Sequence, residues 1–254
     1  MNSTIHHAVV GFAISGILFS LLAIFIRIID TRMRRDWAEI LLSIALFSLM
    51  WFVFIYLMIL TKYITHIPNL YNKGIPLYYL IAPCMFFYVK LRLRQIHKLP
   101  RYWYLHLAPF VFGLVDIMPY ALTSSAEKQA LMVRLVTNIR TGFEHEYGFI
   151  NQQWHYIIRL LLAFAYLLAQ WRALFMADTE DGVISRRLLF SLYTLTIIYS
   201  LFIAIQVGMV MNILFNQLQA SYILRDADQL IWIGGLYLLF SLWVCFGPRL
   251  WRSD

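Results

Sequence analysis

Two ionisable side chains, Asp116 and Arg159, fall inside long apolar segments of this 254-residue chain. A charged group inside a bilayer costs at least a few kcal/mol unless it meets a partner or a water-filled cavity. Asp116 lies three residues before Pro119, and Arg159 lies about one and a half helical turns after Trp154. These positions give the two charges a similar depth on the same side of a membrane, so a contact between them across two helices is one interpretation.

The two charges have three alternative roles. They can pair and lock two helices together, they can line an outward-facing polar pocket for a small polar or zwitterionic ligand, or each can reach water separately. The pocket hypothesis requires polar and aromatic side chains around the charges. Its predicted ligand-binding residues are Asp116, Arg159, Tyr120, Trp154, His155 and Tyr156.

Metal ligation is the next chemistry that the sequence could support, because five side chains carry suitable ligand atoms. No two histidines stand four residues apart and no histidine box is repeated, so the spacing matches no strong metal motif. We therefore expect neither a metal nor a cofactor. The five side chains are His66, Glu144, His145, Glu146 and His155.

Enzymatic motifs are also missing from the sequence. There is no G-x-S-x-G nucleophile elbow and no phosphate-binding Walker loop, and the last apolar segment has no lysine of the kind that holds retinal. These observations favour a protein that is not an enzyme. A membrane enzyme that acts on lipid remains the weaker alternative.

The composition of the chain indicates which class of protein holds these candidate residues. Hydrophobic residues make up 61% of the chain and charged residues 13%, with a mean hydropathy of +0.69, whereas soluble domains carry about 25% charged residues. A soluble globule and a disordered chain are therefore excluded, and two cysteines, Cys84 and Cys245, are too few for a disulfide scaffold. The sequence predicts an all-α polytopic membrane protein.

Seven segments have the length of about 20 apolar residues that a helix needs to cross a bilayer. They predict a single domain, residues 1–254, built as a bundle of seven transmembrane helices. The predicted spans are residues 9–29, 38–60, 74–91, 103–123, 154–175, 188–214 and 229–248.

The basic residues predict the orientation. Fourteen of the 21 lysines and arginines fall in alternate connections on one side, and six fall on the other. Because basic residues accumulate on the cytoplasmic side, the N-terminus is predicted outside and the C-terminus in the cytoplasm. The basic turns then face anionic lipid headgroups, and none is long enough to form a nucleic-acid-binding module.

The longest connection, residues 124–153, predicts an amphipathic helix on the outer side between spans four and five. Ser124 and Glu127 have the spacing of a capping box, and Gly142 is a suitable terminator. This helix can lie in the membrane interface or cover the bundle as a lid. Its apolar positions are Met132, Val136, Ile139 and Phe143.

Prolines within predicted spans indicate kinked helices, because each removes a backbone hydrogen bond. They are Pro76 and Pro83 in span three and Pro109 and Pro119 in span four. A kinked bundle can adopt two packings. In span seven, the pair Gly234 and Gly235 would allow close helix approach.

Three stretches carry a family resemblance: Pro76-Leu-Tyr-Tyr-Leu-Ile-Ala-Pro83-Cys-Met-Phe-Phe-Tyr88-Val-Lys90, His106-Leu-Ala-Pro109-Phe and Phe246-Gly-Pro248-Arg-Leu. They resemble the third span, the fourth-span entrance and the last-span exit of the sensory region in membrane-bound AraC-type bacterial transcriptional regulators. The resemblance implies a bacterial inner-membrane location, signalling by altered helix packing, and a cytoplasmic helix-turn-helix domain. Six residues follow Pro248, so we expect no such domain within these 254 residues.

These observations favour a membrane sensor that binds an outer-side or membrane-dissolved ligand and relays a packing change to the cytoplasmic side. The expected partners are membrane lipids, the small ligand, and either a second copy of the chain or a separate cytoplasmic signalling protein. Direct nucleic-acid binding is not expected. The alternative is a carrier or channel for a small polar solute or ion that uses Asp116, Arg159, Gln206 and Asn212.

Overall fold

A computed structural model describes residues 3–34, 36–96, 98–138, 141–144, 147–179, 184–215 and 227–250. Within these ranges all regular structure is helical, with 3₁₀ turns between residues 63 and 74 and between residues 103 and 107. The helices are α1 (Ser3–Arg34), α2 (Trp37–Leu60), α3 (Ile75–Tyr78), α4 (Ile81–Arg94), α5 (Ala108–Asp116), α6 (Met118–Leu122), α7 (Ser125–Thr137), α8 (Thr141–Glu144), α9 (Gln152–Thr179), α10 (Arg186–Phe215) and α11 (Ala227–Leu250).

Six helical segments of the described chain are long and apolar enough to cross a membrane. They coincide with the first six predicted spans and confirm them as apolar helices of spanning length. The seventh predicted span coincides with α11, whose apolar stretch, Trp232–Phe246, is shorter than the other six. The six are His6–Ile29, Trp37–Leu60, Pro68–Arg94, Trp103–Leu122, Gln152–Ala177 and Arg186–Gly208.

Six long helices pack in a ring. Helix α1 packs against α2, α2 against α4, α4 against α9, α9 against α10, α10 against α11, and α11 against α1. The third span is the most buried at 72%, whereas the fourth is only 17% buried. The fourth span lies against α3 on the outside of the ring, where a Cβ atom at Gly113 would come within 3.1 Å of Pro76 Cα.

The ring has two distinct ends. At one end, which we call the cap end, α7 contacts the 3₁₀ turns Tyr63–His66 and Pro68–Leu70. At the opposite end, the start of α2 meets side chains from α1 and α4. The two ends hold different chemistry, described below.

The predicted proline kinks are instead breaks between short helices. Pro76, Pro109 and Pro119 each stand in the first turn of α3, α5 and α6, where the missing N–H would have no helical acceptor. Pro83 lies in the first turn of α4. The third span is therefore interrupted after Tyr78 and the fourth after Asp116, and these interruptions position the site described below.

The start of the predicted helix after span four is confirmed. Ser124 Oγ accepts a hydrogen bond from the Glu127 N–H, and the Glu127 carboxylate accepts one from the Ser124 N–H, both at 3.3 Å. Helix α7 ends at Thr137, five residues before the expected terminator Gly142, which lies buried in α8. Met132 is fully buried and Val136 is half-buried; Ile139 and the Phe143 side chain lie outside the described residues.

Ser124→Ala should destabilise the first turn of α7 by about 1 kcal/mol, because a helical N–H loses its cap. Amide hydrogen exchange at Glu127 should then be about fivefold faster. Ser125→Ala is the matched control, since Ser125 is exposed and does not cap the helix. Equal exchange rates in both variants would show that the cap contributes nothing.

Candidate functional site

A chain of three buried polar side chains crosses the cap end. The Tyr79 hydroxyl lies 2.9 Å from His155 Nδ1, and His155 Nε2 lies 2.7 Å from Asp116 Oδ2. The other carboxylate oxygen, Asp116 Oδ1, accepts hydrogen bonds from the N–H groups of Phe149 at 2.8 Å and Ile150 at 3.0 Å. Asp116 and His155 are 3% and 4% exposed, so both carboxylate oxygens are satisfied away from solvent.

Helix breaks bring these three residues together. Asp116 ends α5 because Pro119 interrupts the fourth span, and Tyr79 lies in the turn between α3 and α4. His155 lies in the first turn of α9. Gly148 permits the close approach of the loop before α9, since a Cβ atom at this position would overlap the Asp116 carboxylate.

The contact between Asp116 and Arg159, one of the three interpretations of the sequence, is not formed. His155 stands one turn before Arg159 on α9 and takes the carboxylate instead. Asp116 lies at the level of His155 because the fourth span breaks at this point. The apolar pattern of the sequence does not show this change in the depth of Asp116.

Arg159 is held by aromatic rings. Its guanidinium carbon lies 5.1 Å from the ring centre of Phe52, 5.3 Å from that of Tyr78 and 5.1 Å from that of Tyr156. These distances are typical of cation–π contacts. Among the described residues no carboxylate forms an ion pair with Arg159, and no acceptor takes a hydrogen bond from its guanidinium group.

Arg159 lines a cavity of about 150 Å³ inside the ring, together with the three aromatic residues that contact its guanidinium. Residues of α1, α2, α3, α9, α10 and α11 line this cavity, and Leu135 of α7 and Gly142 of α8 line it from the cap end. We call it the Arg159 cavity. Most of its wall is aliphatic or aromatic, with polar atoms from Asn72, Gln152 and Gln206.

A buried hydroxyl adds to the polar groups of this cavity. The Tyr56 hydroxyl is inaccessible to solvent and has no hydrogen-bond partner among the described residues, and Tyr56 lines the Arg159 cavity. A buried polar group without a partner is uncommon in proteins. The Tyr56 hydroxyl is thus a buried polar group without a partner in the described part of the chain.

The six predicted site residues occupy different places. Arg159 and Tyr156 meet in the cavity, while Asp116 and His155 bond to each other beside it. Trp154 is 50% exposed and does not line the cavity. Tyr120 is buried and donates a hydrogen bond to the Pro68 carbonyl at 2.8 Å.

Sequence reasoning missed Phe52, Tyr56, Tyr78 and Tyr79. A signal existed for the last two, since paired tyrosines between Pro76 and Pro83 mark a broken aromatic segment at the depth of the two charges. Phe52 and Tyr56 lie in an unbroken apolar helix, and nothing local in the sequence distinguishes them from lipid-facing aromatics.

The opposite end holds a cluster of charges that we call the charge network: Arg27, Asp36, Glu39 and Arg92. The Glu39 carboxylate bonds to both guanidinium groups, and Arg92 also reaches Asp36 at 3.0 Å. Arg27 donates to the Val244 carbonyl of α11 at 2.6 Å. The charge network therefore joins α1, α2, α4 and α11. From sequence its arginines were assigned only to membrane orientation.

The side chains considered as metal ligands do not form a metal site in the described part of the chain. There, no group of three or more histidine, cysteine or acidic side chains could hold a metal ion. Two of the side chains considered from sequence, His145 and Glu146, lie outside the described residues. His155 uses both ring nitrogens on Tyr79 and Asp116.

Comparisons of this chain with known protein families, with curated proteins and with solved structures found no match. The resemblance to AraC-type sensory regions therefore stays an expectation that rests on the sequence stretches quoted above.

Proposed function

We propose that the chain is a sensory module of a bacterial inner membrane that binds a small ligand in the Arg159 cavity and relays a change in helix packing. In this proposal α11 is the seventh span, the cap end faces outside, and α7 is an amphipathic helix that covers the cavity. The excess of basic residues in alternate connections supports the orientation, and Leu135 in the cavity wall supports the covering role.

The observation that carries the proposal is the Arg159 cavity itself. It contacts five of the six ring helices, all but α4, so an occupant can alter several helix–helix distances at once. A ligand shifts a conformational equilibrium when it binds the two packings differently. The charge network includes α1, α2 and α11, which also line the cavity, and this shared set of helices offers the route for a relay.

The layer between the cavity and the charge network favours a sensor over a carrier. Along α2, about 21 Å separates Glu39 from Val53. The inward-facing residues between them include Leu42, Leu46 and Leu49, which are 2% exposed or less. A carrier needs polar groups that are free along the full depth of its path. The buried polar side chains of this layer are engaged in hydrogen bonds within the bundle: Ser20, Ser48, Gln170, Thr196 and Ser241.

Native mass spectrometry of the gently extracted full chain tests the proposal. We expect a bound small molecule on the wild-type chain, and we expect Val210→Trp to lose it because Val210 lines the cavity and tryptophan fills it. Met211→Trp is the matched control, since the neighbouring side chain is 42% exposed and outside the cavity wall.

The same variants test the relay. Amide hydrogen exchange at residues 38–40, beside the charge network, should differ between the two variants. Val210→Trp should exchange as the ligand-free chain does, and Met211→Trp should exchange as the ligand-bound chain does. A wild-type chain without any bound molecule would contradict the binding step. Identical exchange in the two variants would contradict the relay.

A further inference from the structure

We infer that the Arg159 cavity binds a small monocarboxylate with an apolar body of about the size of a benzene ring. This inference rests on the proposed function, because it names the ligand class for the same cavity. Three features of the cavity lead to it: an unsatisfied cation, the absence of a competing acid among the described lining residues, and the size and polarity of the wall.

The first feature is the state of the Arg159 guanidinium. The rings of Phe52, Tyr78 and Tyr156 surround it, and aromatic rings attract a cation through their faces without offering oxygen acceptors. A guanidinium group has five N–H donors, and none of them meets an acceptor among the described residues. An anion in the cavity would take these donors.

The second feature is that the nearby carboxylate is already occupied. Asp116 accepts from His155 and from two backbone N–H groups, which uses both of its oxygens. Its oxygens are therefore not the acceptors of the Arg159 guanidinium donors. The described lining residues of the cavity include no aspartate or glutamate, and Arg159 is the one charged side chain among them.

The third feature is the shape of the space. The cavity has a volume of about 150 Å³ and a largely apolar wall, and an apolar protein cavity of about this volume holds benzene. A planar carboxylate matches the fork of one guanidinium group through two parallel hydrogen bonds. A phosphate monoester carries a second negative charge, for which the described lining provides no second cation.

Benzoate and benzamide test the inference, because they share size and shape and differ in charge. Titration calorimetry on the purified full-length chain should give saturable benzoate binding that is at least about tenfold tighter than benzamide binding. Phenyl phosphate should bind more weakly than benzoate. This comparison uses the wild-type protein alone, so it stays valid if an Arg159 variant fails to fold.

Variants of two arginines on α9 assign the site. Arg159→Gln should weaken benzoate binding at least about tenfold more than it weakens benzamide binding. Arg172→Gln is the matched control, because Arg172 is exposed on the same helix and does not line the cavity. It should bind benzoate as the wild type does.

Several results would overturn the inference. Equal binding of benzoate and benzamide would show that the cavity binds apolar molecules without selecting for a negative charge. The proposed sensor function would not be contradicted by that result. Phenyl phosphate binding tighter than benzoate would assign a different anion class. Failure of benzoate to bind would reject the carboxylate class, whereas the proposed function fails only if native mass spectrometry finds the wild-type chain empty.

Discussion

Asp116→Ala should lower the free energy of unfolding by about 3–5 kcal/mol, because three hydrogen-bond donors lose their acceptor at about 1–3 kcal/mol each. The substitution removes the acceptor of His155 Nε2 and of the Phe149 and Ile150 N–H groups. Asp116 is 3% exposed, so the His155 ring loses its acceptor in a buried position. Reversible unfolding in mixed micelles, followed by circular dichroism, measures the loss.

Asp116→Asn is the control that separates charge from hydrogen bonding. The amide oxygen can still accept from the two backbone N–H groups, and the amide NH₂ can donate to His155 Nε2. His155 then carries its proton on Nδ1 and donates it to the Tyr79 hydroxyl, so the three-residue chain survives with its direction reversed. We expect a loss of about 1 kcal/mol.

Two outcomes would contradict this account of Asp116. A loss as large in Asp116→Asn as in Asp116→Ala would mean that the negative charge, not the acceptor, stabilises the cap end. A loss below about 1 kcal/mol in Asp116→Ala would mean that the loop at residues 147–150 relaxes without this contact.

Local and one-dimensional signals account for the features that sequence predicted well. Apolar segments of spanning length depend only on composition along the chain, and six of them are helices in the structure. The start of α7 depends on Ser124 and Glu127 three residues apart, a contact within one turn. Neither feature requires knowledge of which helices are neighbours.

The candidate site was predicted only in part, because its contacts join distant segments. Pairing of Asp116 with Arg159 was one interpretation of the sequence, and because the fourth span breaks before Pro119, Asp116 contacts His155 instead. Arg159 contacts Phe52 of α2 and Tyr78 of α3. Such side-chain contacts depend on which helices are neighbours in the ring and on where the helices break. The hydropathy of the sequence shows neither of these.

The cavity and the charge network occupy opposite ends of the same ring, and in the proposed function this arrangement links ligand binding to stability. An anion beside Arg159 would neutralise the cation that the aromatic rings now hold, and would pull on the helices that carry them. The helices of the ring can move together only if contacts at the end opposite the cavity keep them joined. The charge network provides that join, so its strength matters for the relay as well as for folding.

Glu39→Ala should therefore cost about 3–5 kcal/mol of unfolding free energy. The Glu39 carboxylate is shared by Arg27 and Arg92, and its removal changes the charge of the four-residue network from neutral to +1. Glu39 is 8% exposed, so screening by water is small. Unfolding in mixed micelles is again the measurement, with Glu127→Ala, an exposed capping glutamate, as the control at about 1 kcal/mol.

A double-mutant cycle tests whether this loss comes from the ion pair. Replacing both partners of a buried pair with apolar residues of similar volume is often neutral, whereas removing one partner leaves a charge in a site of low polarity. Arg27→Met combined with Glu39→Leu should therefore be at least about 2 kcal/mol more stable than the sum of the two single losses predicts. Arg92 would keep its contact with Asp36 in that double variant. Additive losses would contradict the coupling, and would reduce the charge network to separate contacts that cannot hold α1, α2, α4 and α11 together during a relay.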